Sequence, residues 1–173
     1  ADIACGWGGF LMDVAKYIHK KTGKSYLRIY QENIYGIDIQ SYSIERCKIL
    51  LNLLAISEGE YTDLDFNLLN TDTLNFHLEG WYPAFSDFDV VVGNPPYVCG
   101  RNMEYGTKEK TKMYDVCNSG STDLYIPFFQ IAVEMLKDGG VMGYITMNTF
   151  LKSLNARELR KFFMEGSYNI SIV

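Results

Sequence analysis

The chain has 173 residues, 47% of them hydrophobic and 21% charged, enough apolar material for one compact domain with a real core. That balance excludes disorder, collagen-like repetition and a mini-protein scaffold. The net charge of −5 argues against a free-standing nucleic-acid-binding module, which is usually basic, but not against an enzyme whose DNA grip lies in another domain. No run of about 18 apolar residues occurs, so no transmembrane helix is expected. The N-terminus has neither a charged leader nor an apolar one, so no signal peptide is expected. The four cysteines, Cys5, Cys47, Cys99 and Cys117, show no CxxC pairing, and His19 and His77 are the only histidines. Zinc, other metal sites and a disulfide framework are therefore not expected, and a reducing cytoplasm is. The chain opens without methionine, directly into a motif, and is expected to be a piece of a longer protein.

In chain order, short apolar runs alternate with amphipathic stretches, the pattern of an α/β domain with a parallel sheet. Residues 1–4 read as the end of a strand running into the glycine turn Gly6-Trp7-Gly8-Gly9. The next helix carries Phe10, Leu11, Val14 and Ile18 on one face and stops near Gly23. Residues 22–33 read as an inserted loop, and 34–38 as a second strand. Ser41 or Ser43 is expected to cap a helix with Ile44, Cys47, Leu51 and Leu54 on one face. A third strand is expected at 66–69, and a fourth, fully buried, at 88–93. Residues 98–122 lose the periodicity and read as a long loop, which is usually functional or disordered. A mostly apolar helix at 124–136 follows, then a turn at 137–140, a strand at 141–146, a polar helix at 156–165 and a last strand at 168–173.

Four features carry chemistry. A glycine turn after the first strand lets a backbone approach a ligand closely, and the following helix N-terminus offers free N–H groups, which suits a nucleotide-type cofactor. Any tight strand-to-helix turn can use glycine too. Asp38 ends the second strand, where an acidic residue of a doubly wound fold accepts ribose hydroxyls; it also reads as a surface carboxylate capping the next helix. Thirty positions separate Gly8 from Asp38, against about 20 in dinucleotide sites, and the inserted loop accounts for the excess. Asp72, after the third strand, is placed to accept an exocyclic amine, although Asn70-Thr71-Asp72 is equally ordinary turn chemistry.

The fourth feature is Gly93-Asn94-Pro95-Pro96-Tyr97, directly after the buried strand. Two prolines remove two N–H donors and leave carbonyls as acceptors. Asn94 adds a side-chain carbonyl and Tyr97 a flat aromatic face. Together they suit a planar amino group presented on a ring, at a strand C-terminus where open α/β sheets bind ligands.

Residues 1–11, ADIACGWGGFL, resemble the S-adenosylmethionine-binding motif of DNA adenine-N6 methyltransferases of restriction–modification systems, and Asn94-Pro95-Pro96-Tyr97 resembles their catalytic motif. Asp123-Leu124-Tyr125 and Gly139-Gly140 through Asn148-Thr149-Phe150-Leu151 resemble later motifs, so the likeness covers nearly the whole chain. Ile3 stands where the family often has proline, Trp7 where a small serine is common and Met147 where proline often stands. The resemblance implies a Rossmann-like methyltransferase fold, a mostly parallel, doubly wound α/β sheet, here truncated at both ends.

It also implies S-adenosylmethionine as cofactor, shaped at its methionine end by Asp2, Cys5, Gly6 and Gly8, with Trp7 crowding that end. Asp38 and Ile39 would hold the ribose region, and Asp72 and Thr73 the adenine region. Asn94, Pro95, Pro96 and Tyr97 would carry catalysis on a flipped adenine of duplex DNA. Only 88 positions separate Gly6 from Asn94, which implies the gamma motif order, with target recognition after the catalytic motif and outside this chain. A restriction or specificity subunit is a further partner the resemblance implies, in the cytoplasm of a bacterial or archaeal cell, with no membrane partner. Similar Asn-Pro-Pro-Tyr motifs serve methylation of protein glutamine amides and of RNA guanine N2. Cytosine N4 and a non-catalytic binding module in a restriction complex stay open as alternatives.

Overall fold

Four strands carry the fold of the computed structural model, which describes residues 1–61, 64–77, 85–118, 120–166 and 168–171. They are β1 (Tyr35–Asp38), β2 (Asn67–Asn70), β3 (Phe88–Gly93) and β4 (Leu136–Tyr144). β1 pairs in parallel with β2, Gly36 opposite Leu68 and Asp38 opposite Asn70. β3 pairs in parallel with β4, Val91 opposite Met142. The N-terminal segment joins the two pairs. On one side the Asp2 N–H donates to the Tyr35 carbonyl at 3.0 Å and the Ile37 N–H to the Asp2 carbonyl at 2.9 Å. On the other, the Val92 N–H donates to the Ala1 carbonyl at 2.9 Å, and the Ala1 nitrogen to the Val90 carbonyl at 2.7 Å. This is the slanted bonding of parallel neighbours. The sheet therefore runs β2, β1, residues 1–3, β3, β4, a doubly wound order whose direction reverses between the N-terminal segment and β3.

Helices α1 (Gly9–Thr22), α2 (Tyr26–Glu32), α3 (Ser41–Ser57), α4 (Tyr105–Thr111), α5 (Tyr125–Met135) and α6 (Arg157–Glu165) connect and cover the strands. Successive residues of β1 point to opposite faces, and two cores follow. On one face Gly36 leaves room for Cys5, Leu11 and Leu68; there Leu11, Ile29, Tyr30, Cys47 and Leu51 from α1, α2 and α3 pack together. On the other, Ile37 and Val91 pack under α5 with Phe129 and Ile131. Each fully buried Leu or Ile contributes about 1.5–3 kcal/mol relative to exposure.

Several expected elements are corrected. Residues 22–33 are not a plain loop but contain α2, which buries Tyr26, Ile29 and Tyr30. Its N-terminus is satisfied at long range: the Glu60 carboxylate accepts from the Tyr26 and Leu27 N–H groups at 2.7 and 3.0 Å. Residues 98–122 hold α4 and two 3-10 turns, Gly100–Asn102 and Asp115–Cys117. β4 begins at Leu136 rather than 141, and a register shift between Phe88 and Val90 absorbs the 137–140 turn, with Gly139 at φ +77°. Neither Ser41 nor Ser43 caps α3; Gln40 occupies that position without a side-chain bond. Residues 168–171 carry no strand, and 172–173 lie outside the described residues. Among the described residues no helix is long and apolar enough to cross a membrane.

Candidate active site

The glycine turn sits where the N-terminal segment enters α1. Gly6 and Gly8 adopt φ of +53° and +87°, the left-handed region that favours glycine. A Cβ on Gly8 would lie 2.4 Å from Cys47 Sγ on α3. Gly8 is thus required by helix packing as well as by its φ, a reason additional to the close approach of a ligand. Around Gly6 nothing stands within 4 Å of a built Cβ, so space for a ligand lies there. Cys5 is buried core beside Cys47, and its thiol is pushed up by the hydrogen bond with Cys47 and by burial. Trp7 is 58% exposed, its ring beside Gly9.

Asp38 braces this turn. One carboxylate oxygen accepts the Gly6 N–H at 2.9 Å and the other the Gln40 N–H at 2.8 Å. The residue therefore locks the glycine turn to the end of β1 and supports the start of α3, while one flank faces the cleft described below. Asp2 lies behind it, 1% exposed, with Oδ1 accepting the Ala4 N–H at 3.0 Å. Burial pushes its carboxyl up to about 7, and Oδ2 has no hydrogen-bond partner. A Cβ on Gly93 would come within 2.8 Å of Asp2 Oδ1, so this glycine lets β3 pass the buried acid.

A cleft of about 380 Å³ opens at the C-terminal edge of the sheet, where the strand order reverses. Asp38, Ile39, Asp72, Thr73, Asn94 and Pro96 line it, bringing together residues far apart in the chain. Asp72 Oδ1 accepts the Leu74 N–H at 3.0 Å, capping a 3-10 turn at Thr73–Asn75. Its Oδ2 accepts from the Lys110 ammonium of α4 at 2.6 Å. The Thr73 hydroxyl is buried and donates to the Ile3 carbonyl at 2.6 Å, tying the turn to the N-terminal strand segment. Asp2, Cys5 and Gly8 shape the surrounding frame rather than the cleft wall. Ser43, Leu74, Thr107, Leu124 and Phe128 also line the cleft and were not singled out as site residues from the sequence. Of these, only Leu124 lay inside a motif already quoted.

The Asn94–Tyr97 segment stands at the mouth of this cleft. The β3–β4 pairing ends where the Ile145 N–H donates to the Gly93 carbonyl at 3.0 Å, because Pro95 and Pro96 have no N–H to continue it. Beyond the prolines the chain is fixed again: the Leu124 N–H donates to the Val98 carbonyl at 2.9 Å and the Gly100 N–H to Asp123 at 3.0 Å. Asn94 and Tyr97 are exposed between these anchors. The Tyr97 hydroxyl is within bonding reach of Asn94 Oδ1 and lies 2.9 Å from the Ile145 carbonyl; one proton serves one of the two. The Tyr97 ring meets Tyr125 edge-on at 6.2 Å, and the Tyr125 hydroxyl lies 3.4 Å from that of Thr149. The Asn148–Leu151 stretch thus reaches the Asn94–Tyr97 segment through Tyr125.

A family model, Eco57I restriction-modification methylase, matches residues 32–173. The chain belongs to that family. Similar curated proteins include the type II restriction enzyme and methyltransferase RM.Eco57I of Escherichia coli, 28% identical over 97% of this chain and 22% of its own length. The type II methyltransferase M.BanIII of Aneurinibacillus aneurinilyticus is 29% identical over 99% of this chain and 29% of its own. The chain thus spans under a third of the length of either relative. Among solved structures, a DrdV–DNA complex aligns with TM-score 0.70 at 21% identity, over 92% of this chain and 18% of that one. The ATP-dependent type ISP restriction-modification enzyme LlaBIII bound to DNA aligns with TM-score 0.70 at 20% identity, over 92% of this chain and 13% of that one. At such identities the likeness establishes the fold, which is the Rossmann-like α/β fold of these family enzymes.

Proposed function

We propose that this chain is the catalytic core of a DNA methyltransferase that moves a methyl group from S-adenosylmethionine to adenine N6 in a restriction–modification system. The observation that carries the reading is the position of Asn94-Pro95-Pro96-Tyr97, at the end of β3 and on the rim of a cleft that also presents Asp38 and Asp72. The residues present fit the cofactor. Carboxylates at two points of the cleft suit ribose hydroxyls and an adenine amine, Ile39 and Leu74 offer apolar surface, and the space around Gly6 is open. When bound, the cofactor supplies an electrophilic methyl group.

Asn94 Oδ1 and the Pro95 carbonyl accept the two N6 hydrogens of the target adenine. Holding both hydrogens in place draws the nitrogen lone pair out of conjugation with the ring and aims it along the transfer direction. Asn94 becomes available when the Tyr97 hydroxyl gives its proton to the Ile145 carbonyl instead. The ring of Tyr97, steadied by Tyr125, offers a face on which the base stacks. The target base must leave the duplex to reach these groups, because its amino group is otherwise paired. Positioning and preorganised acceptors provide the rate, up to about 7–11 kcal/mol from orientation; the proton that the methylated, cationic N6 then releases is acidic enough to pass to solvent, so no general base is needed. The acidic chain leaves most phosphate contacts to a recognition domain elsewhere in the full-length protein.

Asn94→Ala in the full-length protein tests the assignment. Methyl incorporation into DNA is expected to fall at least a hundredfold while calorimetric binding of S-adenosylhomocysteine stays within twofold, the pattern of a lost preorganised hydrogen-bond partner that acts in the transition state. Unchanged incorporation would overturn the role of Asn94.

A further inference from the structure

The ion pair between Lys110 and Asp72 joins two elements the proposed activity treats separately. Asp72 Oδ1 is committed to the Leu74 N–H that shapes the turn at Thr73–Asn75. Oδ2 is the oxygen left to meet a ligand in the cleft, and it is held by the Lys110 ammonium at 2.6 Å. Both side chains are largely screened from water, Lys110 33% and Asp72 20% exposed. Lys110 sits near the end of α4, a helix whose only buried residue is Thr111 and whose Tyr105 is 78% exposed. Thr107 of the same helix lines the cleft. Little apolar packing therefore holds α4 down. Beyond it, the Tyr114 hydroxyl donates to the Leu74 carbonyl at 2.9 Å and pins the chain to the same turn.

The remaining cations of this stretch differ from Lys110. Lys112 is taken up locally by Glu109, three residues back. Among the described residues of this stretch, Lys110 alone forms an ion pair with a cleft carboxylate, 38 positions earlier in the chain.

We infer that Lys110 is a latch: it pairs with Asp72 at the cleft rim, and the amino group of a bound cofactor competes with it for Oδ2, releasing α4 from the rim. This rests on the proposed function, which gives Asp72 to the cofactor's adenine. The exchange swaps one donor on Oδ2 for another, so no proton is transferred and the carboxylate keeps its charge. The ammonium moves to solvent with α4. Ligand binding thus carries the cost of breaking a half-buried ion pair, and removing Lys110 removes that cost.

The test compares the full-length wild type with Lys110→Met, which keeps the length of the apolar stem, and with Lys110→Arg, using S-adenosylhomocysteine as probe. Calorimetry should show Lys110→Met binding about two- to fivefold tighter than wild type, the range expected for one partly exposed pair, and Lys110→Arg restoring affinity toward the wild-type value. Hydrogen exchange of amides 105–111 should quicken in the wild type when the probe is added and be fast in Lys110→Met with or without it. Unchanged or weaker binding by Lys110→Met overturns the latch, as does exchange at 105–111 that ignores the probe in the wild type. Wild type that fails to bind the probe at all overturns the cofactor assignment, and the latch with it.

Discussion

Replacing Gly8 with alanine separates two explanations for the glycine turn. At φ +87° an L residue carries about 1–2 kcal/mol of backbone strain. The new methyl would also sit 2.4 Å from Cys47 Sγ and 3.4 Å from Cys47 Cβ, and forcing such a fit into a packed core costs about 1–3 kcal/mol more. Gly8→Ala should therefore destabilise the fold by about 2–5 kcal/mol, a large part of a domain's usual margin of about 5–15 kcal/mol. Cys47→Ala removes the sulfur and leaves only the ordinary 3.4 Å contact. In that background Gly8→Ala should cost the strain alone, about 1–2 kcal/mol, so the two substitutions couple by about 1–3 kcal/mol. Denaturant titrations of the four proteins in a double-mutant cycle read this number directly. Additivity within about 0.5 kcal/mol would refute the packing argument and return Gly8 to a ligand-facing role.

Asp38→Ala removes the acceptor of two backbone N–H groups and should cost about 1–3 kcal/mol of stability; calorimetry with S-adenosylhomocysteine should also show binding about tenfold weaker. Lost stability with unchanged affinity would leave Asp38 as a brace for the glycine turn and nothing more. For Asp2, the native carboxyl at about 7 lies above its ordinary 3.8, so the folded state binds the proton more tightly than the unfolded state does. Stability attributable to this group should then fall as pH rises between about 4 and 7, by an amount on the order of 4 kcal/mol for a group so deeply buried. Asp2→Asn should flatten that slope in denaturant titrations across the window, and an identical slope in the variant would remove Asp2 as its source.

The larger helices were legible where their apolar spacing matches their burial, whereas β3, expected to be fully buried, buries only Val91 and Gly93 and leaves Val90 44% exposed. In α3, Ile44, Cys47 and Leu51 fall on the buried face as the spacing predicts. Leu54 lies at its margin, and Ala55 completes the face. α2 was missed for its length: seven residues are too few for a clear period, and Lys24 and Ser25 before it read as loop. Yet Tyr26, Ile29 and Tyr30 already stand at helical spacing, and the missing information was Glu60, whose capping carboxylate comes from 34 positions downstream. α4 had no such signal, since Tyr105–Thr111 buries one threonine and is fastened by an ion pair with a distant aspartate. The cleft itself followed the same division. Asp38 ends β1, Asp72 and Asn94 follow the ends of β2 and β3, and all three are visible as motifs, whereas Ser43, Thr107 and Phe128 join them only because helices fold across the strand ends. The packing reason for Gly8 was not legible locally, for its neighbour Cys47 is 39 positions away along the chain.

The most direct measurement of the central claim is identification of the methylated product. The full-length protein would be incubated with methyl-labelled S-adenosylmethionine and, in parallel, duplex DNA, structured RNA and cell protein, followed by digestion and mass spectrometry. The account predicts label in DNA as N6-methyl-2′-deoxyadenosine, lost with Asn94→Ala. Label on cytosine N4, on RNA guanine or on protein glutamine, or no label in any of the three, would contradict it.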